Sequence, residues 1–354
     1  DSGFFMRHRN GLLNFRHALL RDTAYQLLPE AQRTRLHRAA FEAYRTLKLH
    51  EELRLPRLAL HAARCGEREV AAETYLVLAR GYARVQSYLE AEAAYSQALD
   101  NLAETDPRTI EAARGRGLMR SRLARQEDAL ADLRKARQRA QLAGDAEQAL
   151  ELMLDEATVL DWTREANQSR ALAQAVEASQ HPLSPLLQAR LAMSLARSHH
   201  RRGEREASLR LGNQAVRLAE ALGDEAYETR IIALLMLATD YANSVRLTEA
   251  EHCFEQVIRE AGSRDDIWHV AAAYCNRAAL WHGLRDVERL RSDLARTVQL
   301  SREIGEASLE WVSVYNLAES EYVMGKLADA RERASRALQL SKQLFKESNR
   351  EVSV

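Results

Sequence analysis

The sequence predicts an all-α protein in which consecutive helix pairs stack into a right-handed superhelical solenoid, with a short β-hairpin at the start. Three observations support this fold class. Alanine, leucine, arginine and glutamate, all strong helix formers, dominate the 354 residues, which include only five prolines. Small residues recur at a constant spacing, and turn-forming pairs such as Gly144-Asp145 and Gly305-Glu306 separate the segments that contain them.

The first predicted element is the hairpin, over residues 3–16. Asn10-Gly11 is the dipeptide that a two-residue type I′ turn favours, and apolar residues alternate on both sides of it. The alternating residues are Phe4, Met6, Leu13 and Phe15. A helix over residues 17–28 follows, and Pro29 separates it from a second helix that runs to about residue 49.

From residue 72 onward, the chain shows an internal repeat. In its first copy a small residue, Ala79, is followed twelve positions later by Ala91, and apolar or small residues come four and seven positions after that. Seven copies begin at Ala72, Ile110, Leu150, Ala189, Ile231, Ala271 and Trp311, in steps of 38 to 42 residues. The residues predicted to let paired helices pack closely are Ala79, Ala91, Ala98, Gly117, Ala129, Ala136, Ala238, Ala250, Phe254, Ala318, Ala330 and Ala337.

This spacing resembles the tetratricopeptide repeat, a family in which two antiparallel helices cross where their side chains are small. Ordinary units of that family contain about 34 residues. The longer steps here predict helix pairs that are longer by a turn to a turn and a half in total, at about 3.6 residues per turn.

The front of the chain is similar to a junction in the STAND class of signal-transduction ATPases. Residues 15–25 and 33–37 resemble the end of the winged-helix domain of that class, and residues 61–72 resemble the first helical pair that follows it. The resemblance implies a winged-helix remnant over 1–29, connecting helices over 30–71, seven repeats over 72–345 and a tail over 346–354. It also implies an upstream ATPase core as a partner.

Several classes of chemistry are not expected in this chain. ATP binding needs GxxxxGK[ST], which Gly325-Lys326 does not complete, so no cofactor is expected here and ATP would be bound by the upstream domain. Cys65, Cys253 and Cys275 have no metal-ligand spacing, and no nucleophile–base arrangement can be assembled, so we expect neither a metal site nor an enzyme. A wing without its recognition helix cannot read a major groove, so nucleic acid is not an expected partner.

Composition adds few restrictions on partners. Lys+Arg and Asp+Glu both total 51, and no run approaches 18 apolar residues. The sequence therefore predicts a cytoplasmic chain without a membrane partner. The final helix carries Leu338, Leu340 and Leu344 with no later repeat to cover them, which predicts self-association through the last repeat or continuation of the chain.

In tetratricopeptide proteins the first helix of each repeat lines the concave face. Transferred onto this frame, the inward positions that we predict to contact a ligand are Arg80, Arg84, Arg114, Arg122, Trp162, Arg190, Arg197, His200, Arg201, Asn243, His282, Tyr315 and Tyr322. Arginines are concentrated in the first four repeats, and their planar fork suits carboxylate or phosphate. We therefore predict a groove for an acidic peptide or a helix of a partner protein.

Three functional readings remain open at this point. The first is the sensor and regulatory arm of a larger ATP-dependent signalling or transcription-regulating protein of bacterial type. The second is a passive protein–protein scaffold. The third is a peptide-pheromone receptor that resembles the repeat-containing quorum-sensing regulators, although residues 3–16 count against it because those regulators begin with a helical bundle.

Overall fold

The computed structural model describes residues 5–7, 13–161, 163 and 165–344. Two three-residue strands, β1 (Phe5–Arg7) and β2 (Leu13–Phe15), pair antiparallel with Phe5 opposite Phe15. The Asn10-Gly11 turn lies outside the described residues, and the predicted hairpin therefore stays a prediction.

Seventeen α-helices occupy most of the described residues. The first three are α1 (Ala18–Leu27), α2 (Glu30–Thr46) and α3 (Glu51–Cys65). Fourteen more form seven consecutive pairs: α4 (Arg68–Arg84), α5 (Tyr88–Asn101), α6 (Arg108–Arg122), α7 (Gln126–Leu142), α8 (Ala146–Leu160), α9 (Ala166–Glu177), α10 (Pro185–Arg201), α11 (Arg205–Leu222), α12 (Tyr227–Asn243), α13 (Leu247–Gly262), α14 (Ile267–Gly283), α15 (Val287–Ile304), α16 (Ala307–Val323) and α17 (Leu327–Leu344). Each pair begins two to four residues before the repeat start predicted for it.

The chain divides into two compact units. Unit 1 comprises the described residues of 1–81 and 90–112, and unit 2 comprises those of 82–89 and 113–354. In unit 1, α2 packs against α3, whereas α1 buries none of its residues. Tyr25 on α1 contacts His37 on α2 through a 2.7 Å bond between its hydroxyl and Nε2, and His37 Nδ1 lies 2.8 Å from His61 Nδ1 on α3.

In unit 2, each helix packs on the next, and first helices also contact the first helix of the following pair. Contacts of this second kind join α8 to α10, α10 to α12, α12 to α14 and α14 to α16. The first helices therefore form one continuous layer in unit 2. A residue of this unit can face the predicted groove only if it lies on this layer.

Small residues occupy the positions where helices approach most closely. All the predicted packing positions are buried, and Ala79, Ala129 and Ala250 have no exposed surface. A Cβ atom on Gly117 would lie 3.1 Å from the carbonyl oxygen of Ala129 and 3.1 Å from Leu133 Cγ. A larger side chain at this position would force α6 and α7 apart.

Six of the turns between the two helices of a pair share one backbone feature. Gln86, Ala124, Val245 and Arg285 adopt φ between 56° and 60°, in the left-handed region that disfavours side chains. Gly203 and Gly325 adopt φ of 71° and 75° at the corresponding place in their own pairs, where the missing Cβ removes the strain.

Candidate functional site

The best-defined polar cluster of unit 2 lies where α6, α8 and α10 meet. Arg114 donates from Nε to Asp155 Oδ2 at 2.7 Å and from Nη1 to Glu151 Oε2 at 2.7 Å. Arg190 donates from Nη2 to the other oxygen of Asp155 at 2.5 Å. The Asp155 carboxylate raises the pKa of Arg114, against the effect of burial. Two cations and two anions therefore neutralise each other in a partly buried cluster.

At Asp161, the residue that follows α8, two arginines share a single carboxylate. Arg197 Nε lies 3.0 Å from Asp161 Oδ2, and Arg201 Nε lies 3.7 Å from Asp161 Oδ1. Neither Arg197 Nε nor Asp161 Oδ2 has an aligned hydrogen-bond partner, although Arg197 Nη2 donates to Thr158 Oγ1 at 3.0 Å and Ser169 donates to Asp161 Oδ1 at 2.8 Å. Arg197 Nε and Asp161 Oδ2 are both buried and face each other within the ion pair.

Helix geometry explains why these arginines act together. Arg190, Arg197 and Arg201 are spaced by seven and four residues, which places them on one face of α10. Burial lowers the pKa of Arg197, the Asp161 and Glu228 carboxylates act against it, and Arg201 and Arg190 add to it. We call the four residues Arg114, Arg190, Arg197 and Arg201 the arginine face.

A charge count over the described residues of this cluster leaves a positive excess. The arginine face has four guanidinium groups, which pair with three carboxylates, those of Glu151, Asp155 and Asp161. The difference, 4 − 3, is one positive charge. The sequence predicted a groove lined by arginines in the early repeats. In this cluster, most of the positive charge of the arginines is offset by the chain's own carboxylates.

Contacts between residues far apart in the sequence lie on the same side of unit 2. Arg122 at the end of α6 donates to Glu228 Oε1 at 2.8 Å, and its guanidinium lies 4.2 Å from the centroid of the Trp268 ring. Gln86, in the turn after α4, donates to Asp266 Oδ1 at 2.7 Å and accepts from the backbone N–H of Trp268 at 3.3 Å. We call these five residues the long-range junction.

Titratable groups around the junction have shifted pKa values. Burial raises the pKa of Tyr88 to about 12 and also raises the pKa of Glu306, the residue before α16. Burial acts in the same direction on Asp266, but hydrogen bonds from His269 and Tyr227 outweigh it and hold the pKa of Asp266 at about 2. Asp266 therefore stays charged and available to Gln86 over the whole physiological range.

The remaining predicted ligand-contacting residues are dispersed. Arg80 pairs with Glu111 in unit 1 at 2.6 Å, and His200 Nδ1 lies 2.6 Å from Asp240 Oδ1 in unit 2. Trp162 lies outside the described residues. The exposed ones among them are Arg84, Asn243, His282, Tyr315 and Tyr322.

Sequence reasoning missed Glu151 and Asp155, two of the carboxylates that complete the cluster. Glu151 occupies the inward second position of its repeat, as Arg190 does in the next, so the repeat frame itself was a signal for that contact. Glu228 carried no comparable signal, because its partner Arg122 is 106 residues away.

Three further observations bear on the candidate site. Among the described residues, no group of three or more His, Cys, Asp or Glu side chains could hold a metal ion. No helix in the described part of the chain is long and apolar enough to cross a membrane. A cavity of about 590 Å³ is lined by Glu204, Arg205 and Arg210 with two neighbours, and includes none of the predicted site residues.

Solved proteins with a similar fold include two Rap proteins and a quorum sensor. A Rap protein complexed with Competence and Sporulation Factor superposes with a TM-score of 0.62 at 11% identity, covering 90% of this chain and 99% of that one. The Rap conjugation gene regulator of plasmid pLS20, in complex with the Phr* peptide, gives 0.61 at 14% identity, covering 90% and 97%. The apo form of the quorum sensor NprR from B. thuringiensis gives 0.54 at 10% identity, covering 91% and 84%.

These likenesses establish the fold, and at such low identity they establish nothing more. The predicted stack of tetratricopeptide-like helix pairs is confirmed. No protein-family model matches the chain, and no curated protein matches it in sequence.

Proposed function

We propose that this chain is a non-catalytic receptor module that binds a peptide or protein segment through a carboxylate of that segment, at the arginine face. The observation that carries the proposal is the sharing of Asp161 by Arg197 and Arg201. A second carboxylate would complete the pairing at Arg201, whose side chain is 33% exposed. Guanidinium groups bind carboxylates with charge-assisted hydrogen bonds, often two at a time.

The cluster favours a ligand with one acidic group over a ligand with several adjacent acidic groups. Arg114 and Arg190 are already matched by Glu151 and Asp155, so a ligand with several adjacent carboxylates would meet those anions as well as the cations. The predicted acidic peptide is thereby narrowed to a segment with a single carboxylate at the position that contacts Arg201.

The structural comparisons support the class of ligand as part of this proposal. Two of the similar structures are complexes, one with Competence and Sporulation Factor and one with the Phr* peptide. The N-terminal region counted against a receptor of that type on sequence grounds, yet the likeness covers 90% of this chain in both cases. These likenesses therefore support a peptide receptor more strongly than the sequence alone did.

A peptide selection tests the proposal. Peptides of about ten residues would be selected on the full chain, and their affinities would be measured by fluorescence anisotropy before and after each Asp or Glu is changed to its amide. We expect one acidic position to dominate, and we expect Arg201→Glu and the double variant Arg197→Glu/Arg201→Glu to abolish binding.

The control for this experiment is the exposed pair Arg205 and Arg210 on α11, changed to glutamate in the same way. Circular dichroism would establish that each variant is folded, which matters most for Arg197 because only 13% of its side chain is exposed. Unchanged affinity in a folded Arg201→Glu chain would refute the placement of the site. Selection of no peptide at all would favour the passive scaffold.

The proposal also extends to the larger protein in which this chain would act. The resemblance of residues 15–25 and 33–37 to a winged-helix end suggests that the receptor module regulates an ATPase core encoded upstream, and through it signalling or transcription. The sequence of the full gene tests this directly: a GxxxxGK[ST] loop upstream of the hairpin would support it. A gene without such a loop would remove the ATPase partner from the proposal.

A further inference from the structure

The long-range junction joins helix pairs that are not neighbours in the sequence. Each unit of a solenoid normally contacts only the units next to it. Here Arg122 at the end of α6 reaches Glu228 at the start of α12 and Trp268 at the start of α14. Both contacts bypass the third and fourth pairs. The junction is therefore a second connection between the second pair and the fifth and sixth pairs.

This second connection closes a ring of first helices. Arg114 joins α6 to α8 through Glu151 and Asp155, and α8, α10 and α12 each pack on the next helix of the layer. Arg122 then joins α6 to α12 through Glu228. Because Arg114 and Arg122 lie on the same helix, a movement of α6 away from α12 also acts on the cluster around Arg114.

Trp268 is held in two places within the junction. The guanidinium of Arg122 lies 4.2 Å from the centroid of its ring, and its backbone N–H donates to Gln86 Oε1 at 3.3 Å. The amide of Gln86 also donates at 2.7 Å to Oδ1 of Asp266, the residue before α14. Residues 82–89, which include Gln86, belong to unit 2, so all of these contacts lie within one compact unit.

The junction differs from the contacts between neighbouring pairs in the forces that hold it. Its contacts are an ion pair, a cation–π contact and two hydrogen bonds. The Glu228 side chain is 64% exposed, so its ion pair is weak and is weakened further by salt. Neighbouring pairs instead share apolar cores, such as the one in which Leu234, Phe254 and Ala273 are buried. The junction can therefore open while the helix pairs stay folded and stacked.

We propose that the long-range junction is a conformational clasp, which opens and closes in the folded chain and regulates the arginine face. When the clasp is closed, α6 is held in place, and Arg114 and Arg190 meet on the two oxygens of Asp155. When the clasp opens, only the neighbouring pairs hold α6, and the arginine face is less well preorganised for a ligand. The inference rests on the proposed function for the ligand, whereas the clasp itself can be tested on the free chain.

The first experiment follows Trp268 in the free chain by fluorine NMR. The chain is labelled with fluorotryptophan, the Trp268 resonance is assigned with Trp268→Phe, and Arg122→Ala gives the resonance position of an uncovered ring. We expect Glu228→Gln, Gln86→Ala and an increase in salt each to move the resonance towards that position, because each loosens the clasp.

Two variants serve as matched controls. Arg246 makes the same two kinds of contact within its own helix pair, an ion pair with Glu249 and a ring contact with Tyr241. Glu225 is exposed three residues before Glu228 and has no ion-pair partner within the described residues. Arg246→Ala and Glu225→Gln should therefore leave the resonance in its original position.

Two results of this experiment would overturn the proposal. In the first, Glu228→Gln and Gln86→Ala shift the Trp268 resonance no more than the controls do, so the contacts do not open together. In the second, either variant loses helix content by circular dichroism, so the junction is needed for folding and is no clasp.

The second experiment measures the affinity of a selected acidic peptide. Gln86→Ala removes no charge, so its effect on affinity reports on the clasp rather than on electrostatic attraction. It should weaken binding about two- to tenfold, the factor that corresponds to the loss of a hydrogen bond, whereas Arg246→Ala should not weaken it. Unchanged affinity in Gln86→Ala would overturn the regulation of the arginine face. If no peptide binds the unmodified chain, the proposed function fails, and the NMR experiment still decides whether the clasp exists.

Discussion

Gly81 in α4 and Gly117 in α6 allow a direct test of the close packing. Adding a methyl group at Gly117 would place a carbon 3.1 Å from a backbone carbonyl oxygen and 3.3 Å from Asp132 Cβ. At Gly81, the same change would meet nothing within 4 Å. Both changes improve helix propensity by about 0.8–1 kcal/mol, so propensity cancels when the two variants are compared.

The difference between the variants therefore measures overpacking alone. We expect Gly117→Ala to be less stable than Gly81→Ala by about 1–3 kcal/mol in free energy of unfolding, the usual cost of inserting a methyl group into a packed interface. Gly81→Ala should be more stable than the unmodified chain. Urea titrations followed by circular dichroism would measure both values, and equal stabilisation by the two changes would refute the argument that small residues let these helices approach.

Three further perturbations test other parts of the fold. Ala250→Arg should lower the free energy of unfolding by about 3 kcal/mol or more, because it overpacks a fully buried position and buries a charge. Thr248→Arg, on the exposed face of the same helix, should leave the melting temperature unchanged. Asp293→Asn should cost about 3–5 kcal/mol in urea unfolding, since this buried carboxylate accepts bonds from an arginine and a tryptophan, and a loss below 1 kcal/mol would contradict that role. Burial lowers the pKa of both His37 and His61, so the stability that depends on their neutral forms should be lost as pH falls below about 6.5. Thermal melts at about pH 7.5 and pH 5.5 should show this loss, and His61→Phe should reduce it.

The repeat frame was predictable from sequence because packing at close crossings restricts residue size. Ala79, Gly117 and Ala250 each had to be small for the same steric reason, and a constraint of this kind recurs with the period of the fold. Helix ends were predictable for a related reason, since Gly144 and Gly305 mark turns between pairs and adopt a left-handed backbone.

The state of the candidate site could not be predicted in the same way. The frame placed Arg114, Arg190 and Arg197 on first helices, but it could not show that Asp155 and Asp161 would bind them, because pairing depends on side chains that meet across three helices. The bond from Arg122 to Glu228 depends on how helix pairs that are far apart in the sequence come together. A repeat pattern describes only the contacts between neighbouring pairs, so it could not predict this bond.

The central claim is that a ligand binds across the first helices of the middle repeats, at the arginine face. Hydrogen exchange of the full chain, with and without a selected peptide, measures this most directly. The account predicts that protection on binding will be concentrated in α8 and α10, and that α9 and α11 will exchange as before. Protection confined to α9 and α11, or to unit 1, would contradict it.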